Sequence, residues 1–194
     1  VGVTSYPMVT RRWTRREYDR LIEVGVFRPD EAVELLGGEL IVSEPQGSAH
    51  HVAVSLVEEA LRAALGTGWV VRNQGPVALD EESEPEPDIS VAPGVWRDYA
   101  REHPARPVLV VEVAESSLRL DRQHKGSLYA RAGLADYWVL NLVERVLEVY
   151  HVPVADPAAP FGWRYASGEV LGPESSIAPL IAPAAVVRVA DLLP

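Results

Sequence analysis

The chain has 194 residues, 47% of them hydrophobic, enough to bury one sizeable core, and residues 1–194 read as a single domain. With no cysteine, disulfides and thiolate metal sites are excluded, so any metal must be held by oxygen or histidine. A net charge of −10 argues against broad, passive binding to nucleic acid while leaving room for a local basic groove. The apolar runs fall well short of the roughly 20 residues that span a bilayer. The opening stretch VGVTSYPMVTRRW does not read as a signal peptide, so a cytoplasmic protein is expected.

Thr14 and Glu17 have capping-box spacing, and Tyr18, Leu21 and Ile22 form an apolar stripe, which predicts a short helix ending near Gly25. VELLGGELIVSE predicts a β-hairpin turning at Gly37-Gly38. AHHVAVSLVEEALRAALG spaces Val54, Val57, Leu61 and Leu65 as a helix that stops at Gly66. WVVRNQGPVAL is predicted as a strand, DEESEPEP as an acidic loop and DISVAP as a short strand. PVLVVEVAESS follows as a strand, then LDRQHKGSLYARAG as a helix with Leu120, Leu128 and Ala132 toward the sheet. DYWVLNLVERVLEVYHV is a hairpin turning at about Val143 to Arg145. PVADPAAP then reads as a break, which sets a core of about 14–152 and a β-rich extension at 153–194. This order predicts a mixed β-sheet flanked by helices.

Glu112 lies in the middle of PVLVVEVAESS, a strand apolar on both faces. A carboxylate there must be neutralised, paired or bound to a metal. Asp88, directly after Pro87, stands at the mouth of the preceding strand, and if the two strands are neighbours both acids point into one cleft. Like charges that close repel unless one is protonated or a cation lies between them. Two oxygen ligands in a partly open shell suit Mg²⁺ or Mn²⁺. Lys125 is the only lysine beside 17 arginines, and it follows on the next helix with Asp121 one turn earlier. An ammonium reaching the cleft can orient a water or stabilise a negatively charged transition state, which suits phosphodiester hydrolysis.

VELLGGELIVSEPQGSAHH, PEPDISV, VLVVEVAESS, DRQHKGSLYARAG and DYWVLNL, in this order, resemble the Uma-two family of restriction-type endonucleases in the PD-(D/E)XK superfamily. The resemblance runs from about Thr14 to Val152. It implies a restriction-endonuclease-like α/β (α+β) core, with Asp88 as the acid of the Pro-Asp signature and Glu112 as the second metal carboxylate. The superfamily places its lysine two residues after the glutamate. Ala114 stands there, so Lys125 is read as a migrated lysine. Glu34, Glu39 and His50 fall where the family also has glutamates and a histidine. Each also reads as ordinary structure: glutamates beside a Gly-Gly turn are usually solvated, and a first-turn histidine is commonly a structural hydrogen-bonder.

The expected function is a metal-dependent endonuclease acting on DNA. Arg12, Arg16 and Arg20 along one helical face are a candidate phosphate edge, joined by Arg119, Arg122 and Arg131 around Lys125. The acidic loop would repel a duplex unless it faces away. The alternative is a nuclease-fold module that binds or assembles without cutting. The apolar tail from Ile177 to Leu193 would pack on a second copy, and a homodimer is expected because two strands need two cuts.

Overall fold

A computed structural model describes residues 10–43 and 45–194. Most of the opening stretch and Glu44 lie outside the described residues. The capping box forms as predicted, with Glu17 N–H donating to Thr14 Oγ1 and Thr14 N–H to Glu17 Oε2, and starts helix α1, Arg15–Glu23. Of its expected stripe only Tyr18 is buried, and Ile22 faces solvent. Tyr18 packs with Val33 and Leu35, and its hydroxyl donates to Val33 O at 2.6 Å.

Strands β1 (Val33–Leu36) and β2 (Glu39–Val42) form the predicted hairpin. Gly37 and Gly38 at its turn have φ of 57° and 83°, conformations that glycine adopts without strain. The hairpin is a separate two-stranded sheet. It is held by the acidic loop, where Glu84 N–H donates to Leu35 O and Gly38 N–H to Glu82 O, both at 2.7 Å. Helix α2, Ser48–Leu65, ends at Gly66 and buries Ala53, Val54, Val57 and Leu61.

The main sheet has six strands in the order β3-β4-β5-β6-β7-β8: Trp69–Asn73, Ile89–Pro93, Leu109–Ala114, Asp136–Asn141, Val146–Ala155 and Trp163–Leu171. All neighbours are antiparallel except β5 and β6. That parallel pair requires a crossover, which a π-helical segment, Leu120–Lys125, and helix α3, Gly126–Arg131, supply. One face of the sheet packs on α2 through Leu109, Val111, Val113, Trp138 and Leu140. The other carries Val110, Ala114, Tyr137 and Val139 against Tyr129 of α3. The architecture is thus the expected mixed sheet flanked by helices.

Four expectations change. The predicted β3 stops at Asn73. Residues 120–125 are π-helical, where Gly126 N–H reaches back to Asp121 O, and the shift leaves Ala132 exposed while Leu128 is buried. There is no break at Pro153, because β7 runs through it to Ala155 and pairs with β8. Beyond His151 β7 has lost β6 as a neighbour, so a residue without N–H removes no ladder bond on that side. The tail folds back on its own chain: strands β9 (Ser176–Ile177) and β10 (Val187–Arg188) pair, and Val187, Val189, Leu192 and Leu193 join the core against α2. The apolar residues on which the homodimer expectation leaned are mostly spent internally. No helix among the described residues is long and apolar enough to cross a membrane.

Candidate active site

Ile89 pairs with Val111, so one further step of the antiparallel register sets Asp88 opposite Glu112. The two are tied through backbone: Val113 N–H donates to Asp88 Oδ2 at 2.8 Å, and Asp88 N–H to Glu112 Oε2 at 3.4 Å. His50, fully buried on α2, brings Nε2 to 3.1 Å from Asp88 Oδ2. Burial opposes protonation of that imidazole, but the hydrogen bond and charge of Asp88 outweigh it and raise its pKa.

Glu112 faces the crossover, where Lys125 Nζ at the end of the π-helical segment lies 3.1 Å from its Oε1 and the Tyr129 hydroxyl of α3 donates to the same oxygen at 2.8 Å. Lys125 also reaches Glu34 Oε2 at 3.1 Å. Glu34 itself is fastened by Ser43 Oγ on Oε1 and Glu86 N–H on Oε2. Asp121 arrives on the π-helical segment, with Ser117 Oγ donating to its Oδ2 at 2.5 Å. Tyr137 OH donates to the Asp121 carbonyl at 3.0 Å, which helps hold the wide turn.

Lys125 and six carboxylates, those of Asp30, Glu34, Glu86, Asp88, Glu112 and Asp121, line a cleft of about 550 Å³. Burial, then the repulsion of Asp121, Asp88 and Glu34, holds the Glu112 carboxyl well above the usual range despite Lys125. Burial likewise lifts Asp121 to about 6. Burial works against the Lys125 ammonium, yet the carboxylates around it prevail and push its pKa well up. With these carboxylates around it, Lys125 is a charge and a hydrogen-bond donor at neutral pH.

The structure brings Asp88, Glu112, Lys125, Glu34, His50 and Asp121 together. Glu39 is the exception: it is exposed at the start of β2, opposite Leu36 at the turn end of the hairpin, and does not line the cleft. His51, not His50, lines the opening. Tyr129 was missed in the sequence, although its spacing of four from Lys125 is a same-face signal on a helix. The arginines expected to meet phosphate are largely spoken for. Arg12 sits 3.7 Å from Glu82, Arg20 pairs with Glu23, Arg122 with Glu148 and Arg131 with Asp80, while Arg15 pairs with Glu84. The acidic loop is accordingly neutralised in part from within the chain.

Among the described residues, no three His, Asp or Glu side chains already form a group that could hold a metal ion. The donor chemistry still fits a hard cation. Asp88 Oδ1 has no protein partner among the described residues, and Glu112 Oε2 has only the long contact to Asp88 N–H. Mg²⁺ is commonly held by one or two carboxylates, with water and substrate phosphate completing the shell.

No curated protein matches the chain. Among solved structures, a putative nuclease belonging to DUF820 from Anabaena variabilis is similar, with a TM-score of 0.64 and 17% identity over 88% of this chain and 94% of that one. At that identity the likeness establishes the fold. The family Uma2, described as putative restriction endonuclease, matches residues 15–188. With a match of that extent, the chain belongs to the Uma2 family, the Uma-two family of the sequence reading.

Proposed function

We propose that this chain is a divalent-metal-dependent endonuclease that hydrolyses phosphodiester bonds in DNA, with Asp88 and Glu112 holding Mg²⁺ or Mn²⁺ and Lys125 serving the reacting phosphate. One observation carries the reading: the only lysine of the chain lies 3.1 Å from a buried glutamate on another element, beside an aspartate from a neighbouring strand. Family membership supports a nuclease at the level of class.

When bound, the ion would neutralise the two carboxylates, polarise the phosphoryl oxygen and lower the pKa of the attacking water. The chain does the rest. Lys125 and Tyr129 hold Glu112 Oε1, so that Oε2 turns toward Asp88. His50 and Val113 N–H hold Asp88 Oδ2 and leave Oδ1 available. Lys125 keeps its proton and offers it as a hydrogen bond to charge developing on the phosphate. Glu34 keeps the ammonium in place from the far side. Two copies related by a two-fold axis would cut both strands of a duplex.

The alternative, a nuclease fold that binds without cutting, draws on the fact that Lys125 and Glu112 already satisfy each other. Plasmid nicking with Mg²⁺ by the native protein and by Lys125→Ala, repeated on single strands and RNA, separates the two. Nicking by the native protein alone supports the proposal. Equal nicking by both, or by neither, sinks it. Calorimetry with Mn²⁺ provides an independent reading, since uptake must weaken in Asp88→Asn and Glu112→Gln.

A further inference from the structure

A phosphodiester backbone entering this cleft meets six carboxylates, so it needs neutral or cationic donors that are not already in use. Most are committed. Ser43 donates to Glu34, Ser117 to Asp121, and Lys125 to Glu112 and Glu34. Gln74 is different. It lines the cleft, is exposed, and its carboxamide has no hydrogen-bond partner among the described residues. It sits one step beyond the β3–β4 register, in which Asn73 pairs with Ile89, and is therefore level with Asp88.

Its backbone is the second, independent observation. Gln74 has φ of 44°, a left-handed conformation that costs a residue with a Cβ on the order of 1 kcal/mol. Glycine would remove that cost, yet the chain places its glycine at 75, where the need is space: a Cβ there would meet Arg72 Nη2 at 3.0 Å. The strained conformer is clamped on both sides. Gln74 N–H donates to Asp88 O at 2.9 Å, and Arg72 Nη1 donates to Pro76 O at 3.0 Å. A cleft-lining residue in a clamped left-handed backbone, with no side-chain partner among the described residues, is placed to meet a ligand.

We infer that Gln74 is a substrate-contacting residue of this cleft, whose carboxamide N–H donates to a non-bridging oxygen of the phosphodiester backbone next to the one being cut. The inference rests on the nuclease reading above and extends it to a residue outside the acid and lysine set. The neutral amide suits the task because an added carboxylate would repel the strand and an added cation would pair with Glu86 or Asp88.

The test uses the full chain, a short fluorescein-labelled duplex with Ca²⁺ in place of Mg²⁺ for binding, and Mg²⁺ for cleavage. Gln74→Gly relieves the strain and deletes the donor, so it should melt at the same temperature or higher while binding the duplex about tenfold more weakly. KM should rise with kcat little changed. Gln74→Asn also tolerates the left-handed backbone but falls one methylene short, and should resemble Gln74→Gly. Gln74→Glu should bind more weakly still. A purely structural role predicts the reverse, with Gln74→Gly binding as tightly as the native protein, and that result overturns the inference while native cleavage stands. If the native protein itself neither binds nor cuts the duplex, the nuclease reading fails first and takes this inference with it.

Discussion

Glu112 and Glu148 make a natural experiment within one sheet. Both pair with Val139 in the register, Glu112 on β5 and Glu148 on β7, so they share a face, and each is 3% exposed. Their carboxyls titrate in opposite directions. Burial raises both, but at Glu148 hydrogen bonds from Arg122, Tyr150 and Asn141 outweigh it and bring the pKa below the usual value. At Glu112 one ammonium and one phenol face three further carboxylates, and burial wins. Exposure alone therefore does not decide how costly a buried acid is; what decides is whether hydrogen bonds and opposite charge offset its burial. The Glu148 cluster is closed, whereas the Glu112 cluster is short of positive charge in a way that a divalent cation would correct. One segment serves both: Arg122 and Lys125 leave the same π-helical turn for the two glutamates.

The sharpest way to break this contrast is to remove one member of the ion pair on each side. Lys125→Ala should lower cleavage by a factor on the order of 10²–10³, read as kcat in a plasmid assay, because the donor at the phosphate is lost. Glu148→Ala should leave the metal-binding acids in place but destabilise the fold by about 2–3 kcal/mol in urea unfolding. It strands Arg122 and Tyr150, and the partial exposure of Arg122 keeps the value at the low end for a broken pair. Because the folded pKa of Glu148 is lowered, its contribution is present above the ordinary value near 4.5 and is lost as pH falls through the folded pKa. The pH dependence of stability below that point should therefore flatten in Glu148→Gln.

Asp121→Asn should move stability the other way. Its carboxyl sits at about 6 against an ordinary 3.8, so ionisation penalises the folded state above about pH 6, and the penalty fades as pH falls toward 3.8. The variant should be more stable by about 2 kcal/mol at pH 8, with no gain near pH 3.5, in thermal melts across that range. A gain that persists at low pH would show that charge is not the cause. Gly126→Ala is the mildest change. Its Cβ would stand 3.2 Å from Asp121 O and 3.5 Å from the Tyr137 ring, while alanine itself favours helix by about 1 kcal/mol. Stability should hardly move, but cleavage should drop several-fold, because Lys125 rides on the turn being pressed.

What the chain determined by itself was local. The capping box at Thr14, the Gly-Gly hairpin, the α2 stripe and the buried β5 strand each depend on contacts within a few residues, where helical and strand periods appear directly as spacing. Asp88 and Glu112 were legible for a related reason, since acids inside or at the mouth of apolar strands stand out from their neighbours. Tertiary structure decided the rest. Glu34 and Glu39 sit at either end of one hairpin, and only the docking of that hairpin on the acidic loop sends the first to Lys125 and leaves the second in water. The shift from α- to π-helical bonding at 120–125, the passage of β7 through Pro153 and the burial of the tail against α2 likewise turn on partners distant in sequence. Whether a charge is stabilised depends on every charge within a few ångströms, and a linear order of residues does not contain those distances.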